Sequence, residues 1–269
     1  MDPETKLYFS FSLRPGNFGA TIFSALFAQY GINAVYLPRQ APSPKEAVRA
    51  LRALHASGCA LSAPLKERVI GELDELDDSV RRSGSCNTIV RRGERMIGFN
   101  TDLFGMKHAL QGLSLERVLI YGAGGVVPSA VLSLKEMGAK EICVHARDRE
   151  AAQKRAHDLG IEPLRRGHSA KFSLLINCTP GGMDPEHAEL QVLLAASAAL
   201  VDLAVSPTDS SLVFAARASG KVAVCGWKMA IAQLQQQFHL YEGHTVPLSL
   251  LEDFVNKRYL VSARPECHA

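Results

Sequence analysis

The stretch from Val118 to Val127 constrains this chain most. Val118, Leu119, Ile120 and Tyr121 form an apolar run that breaks at Gly122-Ala123-Gly124-Gly125 and resumes a helical pattern at Val126 and Val127. A buried parallel strand hands over to a helix in this way when the helix N-terminus is to hold a diphosphate. The glycines allow a tight turn and close backbone approach, and free N–H groups with the positive end of the helix dipole attract the anion. Gly122, Ala123, Gly124, Gly125 and Val126 are therefore candidate cofactor contacts. The third glycine of the usual fingerprint falls on Val127, so the spacing also admits a tight strand-to-helix turn with no ligand.

The residues beyond the turn narrow the choice. A second apolar strand, Ile142 to Ala146, comes roughly where such a unit reads the ribose of its dinucleotide. An acidic residue ending that strand would favour NAD, but here the sequence is Ala146-Arg147-Asp148-Arg149. Guanidinium groups suit the extra 2′-phosphate of NADP, because arginine presents a planar fork of donors to phosphate oxygens. NADP is the expected cofactor and NAD the alternative. Asp148 is ambiguous: it could tie up an arginine or accept from a ribose hydroxyl. A solvated charged turn is the bland reading.

The 269 residues allow one large or two ordinary domains, and 47% hydrophobic with 21% charged residues describes a soluble globular protein. A net charge of +3 without a strongly basic block gives no case for nucleic acid. The six cysteines, at 59, 86, 143, 178, 225 and 267, contain no Cys-x-x-Cys pair and read as reduced thiols of a cytoplasmic protein. Asp2, Glu4 and Lys6 precede any apolar run, which does not suit a signal peptide, and no window approaches the roughly 20 apolar residues of a membrane span. Monomer and homodimer both fit.

Strands are expected at 7–12, 32–37 and 59–62, a helix from Thr21 to Gly31, and another opened by Ser43-Pro44 with Glu46. Arg92-Gly93-Glu94 reads as a hairpin turn. Beyond Asp102, strands at 118–121, 142–146, 174–178, 200–205 and 222–225 alternate with helices, the pattern of a doubly wound parallel sheet. Two amphipathic helices, 229–238 and 248–261, close the chain. The fold class is α/β, with expected boundaries at 1–102, 103–228 and 229–269.

Polar residues cluster where this layout puts strand ends: Ser62 to Lys66, Asn87-Thr88 and Asn100-Thr101-Asp102. Ligands of α/β sheets gather outside the carboxyl ends of strands, so these groups could converge on a small polar molecule. A lysine held by an aspartate near a nicotinamide suits proton transfer to a carbonyl that receives hydride. The plainer alternatives are a surface lysine for Lys66 and a helix N-cap for Asp102. His145, on an apolar strand, reads as a satisfied core residue. The nine histidines show no HExxH spacing, and neither a GxSxG elbow nor a GxxxxGK[ST] loop occurs.

In order and spacing, Gly58 to Lys66, Gly84 to Thr88, Gly98 to Asp102, Gly122 to Gly125, Asn177 to Met183 and Gly226 to Gln233 resemble shikimate dehydrogenases. The resemblance covers nearly the whole chain. It implies a catalytic first domain, an NADP-binding Rossmann domain and C-terminal helices that return to the first, with reduction of 3-dehydroshikimate or oxidation of quinate as the activity. It also implies catalytic roles for Lys66 and Asp102 and contacts of Asn87, Thr101 and Gln233 to the substrate, with Ser62 a further candidate contact although the family's substrate-side Asn and Thr before Pro64 are here Ala60 and Ser62. Arg147, Thr179 and Gly226 become cofactor contacts. The departures are local. The two serines that hold the substrate carboxylate in typical members fall on Asn17 and Gly19, a tyrosine bordering that site becomes Val205, and the Arg14-Pro15-x-Asn17-Phe18-Gly19 run looks like the divergent shikimate dehydrogenase-like branch. Asn17, Ser10, Ser12 and Arg14 are the candidate replacements, and shikimate, quinate, an aminated analogue or a related cyclic hydroxy acid are the candidate substrates. A module that only binds NADP or a small acid is the rival reading, and retention of both Lys66 and Asp102 argues against it.

Overall fold

The computed structural model describes residues 2–165, 171–184, 187–205 and 209–257. The chain forms two compact units, Met1–Asp102 with Gln233–Ala269, and Leu103–Ala232.

The first unit runs β1 (Lys6–Ser12), α1 (Phe18–Gln29), β2 (Ala34–Gln40), α2 (Pro44–Ala53), β3 (Gly58–Leu61), α3 (Leu65–Arg68), β4 (Glu75–Leu76), α4 (Asp78–Ser83), β5 (Thr88–Arg92) and β6 (Arg95–Phe99). Its sheet order is β2-β1-β3-β5-β6-β4. β1 pairs in parallel with both β2 and β3 and is buried on both faces, which explains its nearly unbroken apolar sequence. Phe9 and Phe11 enter a core with Val48 and Leu51 of α2. Tyr8 turns to the other face, among Phe27 and Tyr241, while Tyr36 stacks on Phe23 with centroids 4.5 Å apart. The hairpin forms as expected, β5 antiparallel to β6, with Gly93 at φ +60.

In the first unit two elements start two or more residues away from the sequence reading. α1 starts at Phe18 and not Thr21, because the Thr21 amide already donates to Asn17 O (2.9 Å) and closes the first turn upstream. β2 begins at Ala34 and not Ile32: Gly31 at φ +63 and the Ile32 amide bonding back to Phe27 O keep the chain in the helix C-cap until there. α2 starts where Ser43-Pro44 predicts, with Ser43 Oγ accepting from the Glu46 amide (3.2 Å).

α5 (Asp102–Leu110) opens at the last residue of the Met1–Asp102 stretch of the first unit and leads into the second, which contains β7 (Arg117–Tyr121), α6 (Val127–Glu136), β8 (Glu141–His145), α7 (Arg149–Leu159), β9 (Glu162–Pro163), β10 (Leu174–Asn177), α8 (Ala188–Ala195), β11 (Ala199–Asp202), α9 (Ser211–Ala218) and β12 (Val222–Val224). Its strands are all parallel in the order β12-β11-β10-β7-β8-β9, so the order reverses direction at β7 and β10. In an open doubly wound sheet a ligand crevice forms outside the carboxyl ends of the strands at such a point. Both faces are covered. Val118, Ile120, Val144 and Ile176 pack with Val127 and Leu134 on one side, and Leu119, Leu175 and Leu200 pack with Leu194 and Val213 on the other.

The chain closes with α10 (Gly226–Glu242) and α11 (Leu248–Val255). α10 is longer than the expected 229–238. Gly226 enters the helix instead of preceding it, and the helix ends only where Gly243 takes φ +74 and bonds back to His239 O (2.8 Å). A Cβ at Gly226 would collide with Ala204 O, which accounts for the glycine there. The stretch 258–261 of the expected last helix, and Cys267, lie outside the described residues. The described cysteines, 59, 86, 143, 178 and 225, are all free thiols.

Candidate functional site

β3 ends at Leu61, and the chain turns through Ser62, Ala63 and Pro64 into the single turn of α3, which carries Lys66. β6 ends at Phe99, and Asn100 and Thr101 lead into α5, whose first residue is Asp102. The sheet thereby brings together two residues 36 positions apart: Lys66 Nζ lies 2.7 Å from Asp102 Oδ2. The aspartate side chain is 1% exposed and the lysine's 14%, so the pair is sheltered but the ammonium is within reach of a small molecule. The other carboxylate oxygen, Oδ1, accepts from Asn87 Nδ2 at 2.7 Å. Asn100 Oδ1 accepts the Asp102 amide (3.1 Å), fixing the first turn of the helix. Cys86 is the neighbouring nucleophile, but burial pushes its thiol up to about 12, so it remains protonated beside the pair.

Asn87 and Thr101 are buried in the same cluster: Asn87 Oδ1 accepts from the Thr101 amide (2.8 Å) and from its hydroxyl (3.1 Å). Ser62 is exposed at the end of β3, with its amide donating to Phe11 O (3.0 Å). Asn17 is exposed at the start of α1 and makes no side-chain capping bond. A Cβ at Gly19 would lie 3.3 Å from Tyr36 Cε1, so the ring of Tyr36 fills the space a larger residue would need. Ser12, at the end of β1, is 9% exposed, and its hydroxyl has no hydrogen-bond partner. Gln233 is half-buried, whereas Gln237, one turn later, is 1% exposed and donates from Nε2 to Thr88 Oγ1 at 2.9 Å. The sequence reading overlooked Gln237, although it falls between Leu234 and Tyr241 at a core-facing interval.

In the second unit the glycine turn sits at the end of β7. Gly122 has φ +125, and a Cβ there would meet Thr179 Cγ2 at 2.9 Å, so only glycine fits. Gly124 faces open space, with nothing within 4 Å of the position a Cβ would take. Val126 provides no side-chain cap to α6, and no acidic residue occupies its first turn. The positive end of the helix thus meets no competing negative charge from its own first turn, as an incoming anion requires. The Ala123 carbonyl accepts from Arg155 Nε (3.2 Å) and Nη2 (3.1 Å), a restraint on the turn from α7 that sequence spacing did not reveal.

Arg147 and Arg149 follow β8, both exposed. Asp148 caps α7, its carboxylate accepting from the Ala151 amide through Oδ1 (3.0 Å), a role outside the two the sequence offered. His145 is held by Glu189, Nε2 to Oε1 2.7 Å, and Tyr121 OH donates to the other oxygen of the same carboxylate. Burial raises the Glu189 carboxyl, but the bonds from Tyr121 and His145, with the charges of His145 and His187, bring it below the usual range.

Thr179 lies past the end of β10, where Asn177 holds it through its amide (3.1 Å) and hydroxyl (2.7 Å). Asn177 Nδ2 donates in turn to Asp202 Oδ1 (2.8 Å) at the end of β11. Burial pushes the Asp202 carboxyl above its ordinary range, against hydrogen bonds from Ser210, the Ala204 amide and Asn177. Gly182 passes directly over Asp202, so that any side chain there would collide with Oδ2. Asn177 and Asp202 are therefore the supports of the Thr179 loop, and replacing Gly182 by alanine is expected to displace it; thermal melts and crystallography of that variant check this. Among the described residues, no cluster of three or more His, Cys, Asp or Glu side chains is placed to hold a metal ion, and no helix is long and apolar enough to cross a membrane.

Comparison with known proteins agrees with this arrangement. Residues 18–89 match the family model described as the shikimate dehydrogenase substrate binding domain. The chain is 27% identical over 249 residues to the shikimate dehydrogenase-like protein of Haemophilus influenzae, covering 90% of this chain and 92% of the relative. It is 31% identical over 226 residues to a shikimate dehydrogenase (NADP(+)) of Bacillus cereus, covering 78% and 82%. The shikimate 5-dehydrogenase of Thermus thermophilus, solved in complex with NADP(H) and shikimate, superposes with a TM-score of 0.80 at 25% identity over 94% of this chain and 99% of that one. With its two sheets, the buried lysine–aspartate contact and these matches over most of its length, the chain belongs to the shikimate dehydrogenase family.

Proposed function

We propose that this protein is an NADP-dependent oxidoreductase that interconverts shikimate, or a closely related cyclic hydroxy acid, and the corresponding ketone. The observation that carries the reading is the 2.7 Å contact of Lys66 Nζ with Asp102 Oδ2, sheltered from water and backed by Asn87. In the reducing direction the nicotinamide supplies hydride, two electrons and one hydrogen, to the carbonyl carbon. Lys66 gives its proton to the carbonyl oxygen as negative charge develops there, becomes a neutral amine, and is reprotonated from solvent. Asp102 keeps the Nζ group in one direction. Oxidation of the alcohol runs the same steps backwards, with Lys66 as base.

The second unit supplies the cofactor site in this reading. The diphosphate is held by the turn from Gly122 to Val126, the 2′-phosphate by Arg147, and Thr179 and Gly226 line the nicotinamide side. The fit rests on the open space at Gly124 and on the start of α6, which carries neither a side-chain cap nor an acidic residue. Gly124→Ala tests it selectively. The fold has room for the methyl group, so melting temperature is expected to stay put while KM for NADP rises about tenfold by blocking close approach of the phosphate. An unchanged KM would remove the diphosphate from this turn.

On the substrate side, Lys66, Asp102, Asn87, Thr101 and Gln233 match the family positions by the resemblance, Ser62 stands where the family has a threonine, and the carboxylate grip is changed at Asn17 and Gly19. The buried, unpartnered hydroxyl of Ser12 is the group best suited to donate to the acid instead, since a bound carboxylate would satisfy it. Ser12→Ala is expected to raise KM for shikimate about fivefold, the worth of one hydrogen bond of about 1 kcal/mol, with kcat retained. Steady-state kinetics of the variant check this, and an unaltered KM would exclude Ser12 from carboxylate binding.

A further inference from the structure

Gln237 is the one residue of the Gln235-Gln236-Gln237 run that is fully buried, and it shares its face of α10 with Leu234, Phe238 and Tyr241. An amide on so apolar a face is unfavourable unless its hydrogen-bonding groups are satisfied. Its Nε2 donates to Thr88 Oγ1 at 2.9 Å. Thr88 Oγ1 stands 2.9 Å from Asn87 Oδ1 and 3.2 Å from Thr101 Oγ1. Asn87 then contacts Asp102, and Asp102 contacts Lys66.

The orientation of Asn87 in this chain is determined. The Thr101 backbone amide is a donor that cannot reverse, so Asn87 must present Oδ1 to it and Nδ2 to Asp102. A threonine hydroxyl carries one proton. With the Gln237 amide donating to its oxygen, that proton goes to Asn87 Oδ1, which also accepts from the Thr101 hydroxyl. The donors on Oδ1 polarise the Asn87 amide, and its Nδ2 becomes a stronger donor to the carboxylate.

We propose that Gln237 is a positioning residue for the Lys66–Asp102 pair, acting through Thr88 and Asn87 to fix the aspartate against the lysine. The inference rests on the proposed role of that pair in proton transfer. Gln237 reaches the pair through Thr88 and Asn87, so its loss is expected chiefly in kcat.

The test is steady-state kinetics of the full-length protein with shikimate and NADP, for Gln237→Met, Gln237→Glu, Thr88→Val, the double variant Gln237→Met/Thr88→Val, and Lys66→Ala. Gln237→Met keeps the shape and removes the donor; it is expected to lower kcat about fivefold, with KM for shikimate changed less than about twofold. Gln237→Glu is isosteric but draws the Thr88 proton toward itself and away from Asn87, so its kcat is expected to fall further, and it serves if the methionine variant does not fold. The double variant is expected to be no slower than Thr88→Val alone, because both changes cut one path. A wild-type kcat in both Gln237 variants, a loss confined to KM, or multiplied losses in the double variant would overturn the inference while leaving the role of the pair intact. A fully active Lys66→Ala would instead remove the reading on which it rests.

Discussion

Lys66→Ala is expected to lower kcat for shikimate oxidation by about 10²–10⁴-fold, the usual contribution of a positioned proton-transfer group, with binding of NADP unchanged. The size follows from geometry. Nζ is held at 2.7 Å by a carboxylate that is itself fixed by Asn87, so no other proton carrier can be recruited to the same place without moving the strand ends that position it. Cys86, the adjacent titratable group, stays a thiol and cannot substitute. The variant should remain folded, because Asp102 keeps its bonds to Asn87 and to Asn100. Circular dichroism and NADP titration establish that the protein is intact; turnover near wild type would take the proton-transfer role away from Lys66.

Arg147→Ala is expected to weaken NADP by about 10- to 100-fold and leave NAD nearly unaffected, the loss of one charged hydrogen-bonding interaction of about 1.5–3 kcal/mol. The prediction is sharpened by the capping role of Asp148. Its Oδ1 is engaged with the Ala151 amide at the start of α7. Arg149→Ala, at the first residue of α7, is expected to give a smaller loss. Comparing kcat/KM for both cofactors in each variant checks the assignment, and equal losses for NADP and NAD would show that Arg147 does not read the 2′-phosphate.

Much of this was legible in the sequence for physical reasons. Strands buried on both faces, such as β7 and β10, must be apolar throughout, and a glycine with φ +125 at the end of one of them marks a turn that no other residue can make. Lys66 and Asp102 were visible because polar residues directly after buried strands have no place in a core. What could not be read is what the third dimension alone supplies. Asp148 read as a partner for an arginine or for a ribose hydroxyl, and its capping of α7 showed only once the Ala151 amide was placed beside it. Arg155 reaches the Ala123 carbonyl across 32 positions, and no local pattern announces such a contact. Gln237 was hidden in a polar run, although its spacing from Leu234 and Tyr241 marked it as core-facing. The start of α1 was misplaced because Phe18-Gly19-Ala20 carry no helix signal of their own and are drawn into the helix by the Asn17 carbonyl.

The most direct measurement is transfer of label from reduced cofactor to substrate. The purified protein is incubated with NADPH deuterated at the transferable position of the nicotinamide and with 3-dehydroshikimate, and the product is analysed by mass spectrometry and NMR. The account predicts one deuterium on the new carbinol carbon of shikimate, formed in step with NADP and lost from the Lys66→Ala reaction. Product with no deuterium on that carbon, or no product from a protein that binds both ligands, would contradict it.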